Sequence, residues 1–360
     1  MNLKKQFLVF VAIVCAISTW AQSTPKYSNE FLSIGVGARA LGMANSYVSS
    51  VNDVTAGYWN PAGLMGIKSD LQVGAMHSEY FAGIAKYDYA GIAFAIDSSS
   101  TMGVSFIRFG IDDIPNTIEL IDPAGNIDYN RITSFSVADY AFIFSYAKKL
   151  KVQGLRVGGN FKVVHRSVGD FAKAWGFGLD AGLQYNKDKW RFALMARDIT
   201  STFNAWKYTL DERTIEVFTQ TGNEIPENAL EITLPRFLFG VAREFTLGKG
   251  ILLITELDLD ATFDGQRNVL ISADPISIDP HFGLELGYRG FIFVRAGVGN
   301  IQKITEVSGD QVFTVQPNIG LGLKIKGITL DYALTDIGDQ SVALYSNVFS
   351  LKFDIFKKVL

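Results

Sequence analysis

Cysteine is almost missing: the 360 residues include one, Cys15, inside an apolar run near the N-terminus. A disulfide framework and thiolate metal sites are thereby excluded. Histidine is nearly as scarce. His77, His165 and His281 stand far apart, each within or beside a predicted strand, with neither a paired-histidine spacing nor a Gly-x-Ser-x-Gly element nearby, so no catalytic or metal constellation is expected. No sign of charge dominates, since 33 Lys and Arg face 36 Asp and Glu for a net charge of -3. Nothing in that balance draws the chain to nucleic acid. Low-complexity runs are absent, and no repeat of 20 to 50 residues recurs, which disfavours a propeller or solenoid. Beyond the N-terminus no apolar stretch approaches the roughly 20 residues of a transmembrane helix.

That N-terminus reads as an export signal over residues 1–21. Lys4 and Lys5 precede an apolar run from Phe7 to Ile17, and Thr19 and Ala21 are the small residues a signal peptidase reads before Gln22. The run is too short for an anchor helix. Cys15 follows Ala12-Ile13-Val14 rather than the small residues that precede a lipidated cysteine.

What the chain has in quantity is apolar surface, glycine and aromatics: 48% hydrophobic residues, 34 glycines and 13% Phe, Trp and Tyr. These are arranged with period two. From Trp175 to Asn186, Trp175, Phe177, Leu179, Ala181, Leu183 and Tyr185 alternate with Gly176, Gly178, Asp180, Gly182, Gln184 and Asn186. Successive side chains of a strand point to opposite faces, so one face here is wholly apolar and the other glycine and polar. A water-soluble sandwich would show Lys, Glu and Thr on its polar face. Glycine there instead fits side chains crowding a narrow lumen, with the apolar face toward lipid.

About fourteen such strands are expected, near 70–77, 87–96, 101–108, 134–147, 155–168, 174–186, 189–198, 234–245, 251–260, 280–289, 292–299, 314–325, 328–336 and 345–355. Long connections (109–133, 199–233, 261–279, 300–313) follow odd-numbered strands, and tight turns at Lys187-Asp188, Gly248-Lys249-Gly250, Gly290 and Lys326-Gly327 follow even ones. Alternating short and long connections are the habit of outer-membrane barrels. The expected fold is therefore all-β: a transmembrane antiparallel β-barrel over 70–360 in the cell outer membrane. Residues 22–69, where alternation fails, are expected to form a helical and loop plug.

The plug region carries one recognisable motif: Gly35-Val36-Gly37-Ala38-Arg39-Ala40-Leu41-Gly42-Met43-Ala44, Asn52-Asp53-Val54-Thr55-Ala56 and Trp59-Asn60-Pro61-Ala62-Gly63-Leu64. It resembles the N-terminal segment of the PorV and PorQ family of Bacteroidetes outer-membrane proteins, which share a fourteen-strand barrel with the FadL fatty-acid channels. The resemblance implies a non-enzymatic component of type IX protein secretion, with secretion-system or cargo proteins as partners and no cofactor. The rival expectation is a FadL-like channel for hydrophobic solutes. Within the motif, Gly37, Arg39, Gly42, Met43, Asn60, Pro61, Ala62 and Gly63 are expected to seat the plug; the G-x-G-x-x-A spacing with Asp53 downstream is a weak nucleotide fingerprint, because no parallel strand follows. Ile118 in 109–133 and Phe203, Trp206, Tyr208 and Phe218 in 199–233 are candidate partner-binding residues, since exposed apolar clusters ask for a cover. Glu256, Asp258 and Asp260 fall on one strand face and could suggest a cation site, but Arg156, Lys162, Arg289, Arg295, Lys324 and Lys352 share the polar face, so ion pairing within the lumen is the plainer expectation.

Overall fold

The computed structural model describes residues 28–122, 125–305, 310–337 and 345–357. The predicted export signal lies outside them, and so do the first residues of the predicted plug.

Sixteen strands form one antiparallel sheet: β1 (Leu71–Tyr80), β2 (Ala85–Asp97), β3 (Ser100–Asn116), β4 (Thr133–Lys149), β5 (Leu155–Val168), β6 (Ala172–Lys187), β7 (Trp190–Arg197), β8 (Thr202–Tyr208), β9 (Ala229–Thr233), β10 (Arg236–Gly248), β11 (Ile251–Thr262), β12 (Ser277–Tyr288), β13 (Ile292–Thr305), β14 (Gln311–Ile325), β15 (Ile328–Thr335) and β16 (Ser346–Ile355). Fourteen of them close a ring, because β1 pairs with β16 while β5 pairs with β6, β6 with β7 and β7 with β10. Closure leaves no edge within the ring, which is what lets strands span lipid.

The expected alternation is present, and it is inverted relative to a soluble protein. Along β6 the buried positions are Ala172, Ala174, Gly176, Gly178, Asp180, Gly182 and Gln184, while Trp175, Phe177 and Leu179 are exposed. Outward aromatics form ladders: the rings of Phe161 and Phe177 are 6.2 Å apart, and those of Phe177 and Phe203 5.9 Å. Among the described residues no helix is long and apolar enough to cross a membrane, so any crossing is made by the strands.

Predicted and observed strands differ most at the long-loop end. β3 continues to Asn116 past a register shift between Ile111 and Ile114, and β13 continues to Thr305, so parts of the expected loops are sheet. The segment expected to be loop 199–233 contains β8, the helix Glu212–Gln220 and β9. β8 and β9 stand above a break in the wall. β6 pairs with β7 through Ala181–Lys187 but with β8 through Ala172–Phe177. The break is pinned: the Asp198 amide donates to Asp180 at 2.9 Å, and the Ile199 amide to the Leu179 carbonyl at 3.0 Å. Pro235, which has no N–H to offer a ladder, separates β9 from β10 on the returning side.

The lumen is filled by residues 28–70, with short helical turns at Glu30–Leu32, Ala38–Leu41, Ala56–Trp59 and Pro61–Gly66. Val36, Met43, Tyr47, Val48 and Leu64 are completely buried, and this segment forms the heart of the apolar core.

Candidate functional site

The site is the plug, the wall that grips it and the space above it. The eight motif residues expected to seat the plug all lie in it, and each touches the wall or another plug turn. Gly37, at φ +89°, turns the chain into the helix Ala38–Leu41, and its amide donates to Met76 Sδ at 2.9 Å. Gly42 lies so close to β14 that a methyl group on it would meet Gly320 Cα at 2.9 Å. Met43 packs over Gly283 of β12 and Gly297 of β13. The Asn60 side chain donates to the Leu183 carbonyl at 3.1 Å and accepts from the Ala62 amide at 3.1 Å, starting the turn in which Pro61 occupies the first position. Pro61 packs on Gly158 and Gly182, and Gly63 passes close to the Val51 carbonyl. The glycines of the polar face are therefore seats for plug backbone. The Gly35–Ala40 stretch serves this seating as well, with the Ala38 amide donating to Ser350 Oγ at 2.7 Å, and no strand–helix–parallel strand unit surrounds it.

Charge completes the grip. Arg39 makes a two-pronged pair with Glu285 at 2.7 Å; Glu285 also accepts from Arg295 at 2.6 Å, and Arg295 donates to Asp331 at 2.8 Å. Lys352 reaches Asp331 at 3.4 Å and Asp53 at 2.6 Å. Three cations and three carboxylates thus form one chain that begins and ends on the plug. Burial by itself would raise the Asp53 carboxyl, but the Lys352 ammonium and the nearby Arg39 guanidinium hold it well below the usual carboxylate range.

The lumen cations find partners largely as the sequence suggests: Lys162 pairs with Asp180 and Asp198, and Lys324 with Asp354. The acidic trio of β11 has divided duties instead. Asp258 accepts from the amides of Tyr47 and Val48 at 2.7 and 2.9 Å, Glu256 accepts from Ser49 at 2.6 Å, and Asp260 pairs with Arg236. Two of the three hold the plug turn, so they form no cation site, and no group of three metal-ligating side chains occurs among the described residues. The histidines are likewise separate: His77 meets Asp88, His165 the Ala174 carbonyl and His281 the Ala44 carbonyl.

The proposed loop residues need correction in part. Phe203 is on β8, facing outward in line with Phe177, so it belongs to the wall. Trp206 is also on β8; its indole N–H donates to Glu231 at 2.7 Å, and the Arg166 guanidinium lies over its ring. Tyr208 stacks on Trp206, while Ile118 and Phe218 are half-buried in the loops. The two longest loops pack on one another, Arg213 donating to the Ile121 carbonyl at 3.0 Å and pairing with Glu119.

Above the plug, toward the long loops, is a cavity of about 470 Å³ lined by plug residues such as Leu41, Asn45 and Trp59 and by the upper ends of β10 to β15. A smaller one of about 50 Å³ lies at the wall break, between Thr233-Leu234-Pro235 on one side and Thr262-Phe263 on the other. The two share Arg197, Arg236 and Arg267 as lining. Neither the break nor this cavity is visible in the hydropathy pattern; Pro235 and the run Asp198–Ser201 are its only local sequence marks.

No family model and no curated protein matches this chain. Solved structures do. It is similar to the CymD monoaromatic hydrocarbon channel (12% identity, 90% of this chain and 98% of that one, TM-score 0.56), the toluene transporter TodX of Pseudomonas putida (12%, 88% and 96%, 0.54) and a FadL homologue of Pseudomonas aeruginosa (12%, 89% and 98%, 0.51). At these identities the likeness concerns architecture alone: the fourteen-strand ring of this chain shares its fold with these solved channels.

Proposed function

We propose that this protein is a gated solute channel of the outer membrane. The observation that carries the reading is that the upper cavity and the break in the wall adjoin, sharing Arg197, Arg236 and Arg267 as lining, above a plug that fills the lumen below. A solute entering from the long-loop side meets a closed floor and, beside it, the break in the wall. Either the plug moves or the solute leaves sideways. The solved channels of this architecture, named for toluene and monoaromatic hydrocarbons, support a transport role, and the barrel and its neighbours support an outer-membrane location.

A second reading, a PorV-like partner of type IX secretion, is favoured by the motif resemblance and by apolar side chains exposed at the loops, among them Ile121, Ile127, Tyr129 and Ile215. One paired experiment separates them: solute uptake by proteoliposomes carrying the purified barrel, and surface display of secreted proteins in cells that lack it. Barrel-dependent uptake with secretion intact is expected. Inert proteoliposomes together with loss of secreted proteins from the surface would give the second reading its place.

A further inference from the structure

We infer that the cavity above the plug binds a neutral, polyhydroxylated ligand, a saccharide by chemical class. The inference rests on the solute-channel reading and names the substrate class for it.

The cavity's lining joins apolar side chains such as Leu41, Trp59 and Leu238 to a cluster of amides. Six carboxamides line it, Asn45, Asn268, Asn300, Gln302, Gln316 and Asn318, drawn from the plug, the β11–β12 loop and the tops of β13 and β14. Four of them form a directional chain: Asn268 donates to Gln302 at 3.4 Å, Gln302 to Asn300 at 2.6 Å and Asn300 to Gln316 at 2.6 Å. The register shift between Gly299 and Gln302 makes this possible, since Asn300 sits there at φ +49°, a conformation asparagine tolerates better than most residues. A carboxamide has two donor hydrogens and an acceptor oxygen, so each member of the chain keeps capacity for a ligand. Opposite them Asp279 points an oxygen, Oδ1, that is buried and has no hydrogen-bond partner among the described residues. Its cross-strand neighbour is Asp260, another carboxylate, and His281 Nε2 stands 3.5 Å from its other oxygen, Oδ2, so Oδ1 is left to a donor from the cavity.

Two other ligand classes suit this lining less well. A hydrocarbon would leave Asp279 Oδ1 and the remaining amide hydrogens without partners and out of water. A ligand of one strong charge is disfavoured by the mixed signs of the lining, where Arg236 is matched by Asp260 and Arg267 by Asp264 and Glu30, while Arg197 is held by the Leu32 and Tyr58 carbonyls and Asp279 lies beside His281. A polyol offers hydroxyl donors and acceptors in every direction, which suits amides converging from separate elements. At about 470 Å³ the space lies within the usual range of small-ligand pockets.

The test is calorimetric titration of the purified, folded barrel with an array of neutral oligosaccharides of glucose, galactose, mannose and N-acetylglucosamine, alongside toluene and triglycine. At least one saccharide is expected to bind, with Gln316→Leu and Asp279→Ala each weakening it about tenfold. Val315→Ile, on the outward face beside Gln316, should leave affinity unchanged. Heat-modifiable migration on gels checks that each variant is folded. Binding of toluene or triglycine in preference to every saccharide, or no saccharide binding at all, overturns the inference. Proteoliposome swelling distinguishes that outcome from failure of the channel reading: the barrel that conducts toluene but binds no sugar remains a channel with another substrate, whereas one that conducts no solute fails both.

Discussion

The wall turns its large apolar side chains outward, where Trp175, Phe177, Leu179 and Phe203 stand exposed, and keeps glycine, amides and charge inside. The plug does the reverse, burying Val36, Met43, Tyr47, Val48 and Leu64 and presenting backbone amides and the polar groups of Arg39, Asp53 and Asn60 to the wall. The two surfaces are complementary by chemistry more than by shape: polar wall receives polar plug rim, and each amide of the turn at 47–49 meets a carboxylate of β11. Between these polar contacts the wall also supplies Tyr87, Ile107, Met195 and Leu238 to one core with Val36, Met43 and Leu64 of the plug, so parting the two would expose apolar surface at about 25 cal/mol per Å² as well as break the polar grip.

The largest displacement within this fit should come from adding bulk where the wall seats the plug. A methyl group on Gly158 would lie 2.6 Å from both the Ala62 amide nitrogen and the Pro61 carbonyl carbon, whereas one on the adjacent Gly159 would meet only the Asp180 carbonyl, at 3.5 Å. Gly158→Val is therefore expected to displace the plug and cost at least the 1–3 kcal/mol typical of overpacking, while Gly159→Ala is nearly silent. Thermal unfolding of the barrel in detergent, followed by gel migration, checks the contrast. Equal effects at the two positions would mean that the wall does not distinguish its faces as described.

Next comes the ionic chain. Lys352→Met leaves Asp53 and Asp331 buried without their shared cation, and breaking a buried pair in this way costs about 3–5 kcal/mol. The pH dependence follows from Asp53, whose carboxyl is held well below its usual range. A depressed pKa contributes stability that is fully present above the unfolded value of about 3.9 and is lost as pH falls through the folded one. Plug release by acid, read as proteolytic cleavage within 28–70, should thus begin only below the ordinary carboxylate range in the native chain. In Lys352→Met it should move upward in pH. An unchanged acid midpoint would remove Asp53 and Lys352 from the latch.

How much of this was legible in the sequence varies with the range of the forces involved. Strand periodicity is local, so β5 was readable to the residue at both ends and all fourteen ring strands were found. The wall break was not, because Asp198 to Ser201 read as the start of a polar loop, and what makes them a hinge is pairing of β8 with the upper half of β6. Ile111 and Ile114 were assigned to a loop for a similar reason: a bulge breaks the alternation while the ladder continues. Within the site, the resemblance picked out the plug residues, and strand faces picked out Lys352, Arg295 and Glu256. Which carboxylate meets which cation could not be read, since Arg39 and Glu285 are 246 positions apart and only ring closure brings them together. The spacing that marks Asp53 in the sequence is incidental; its role as the end of the ionic chain depends on Lys352, 299 positions away.

The smallest expected effect separates the loops from the wall and plug together. Arg213 begins the loop helix Glu212–Gln220, which Asp211 caps by accepting from the Thr214 amide at 2.7 Å, a bond that also lowers the Asp211 carboxyl. From there Arg213 bridges to the β3–β4 loop through the Ile121 carbonyl and Glu119. These contacts are exposed and screened by salt, so they order the loops more than they stabilise the fold. Arg213→Ala should leave the unfolding temperature and the migration shift of the barrel unchanged, and it should increase cleavage by added protease within 117–132 and 209–228. High salt should reproduce that increase in the native chain and add nothing further to the variant. If the variant instead lowered the unfolding temperature as far as Lys352→Met does, the loops would be part of the same cooperative unit as the plug, and the division drawn between them would have to be abandoned.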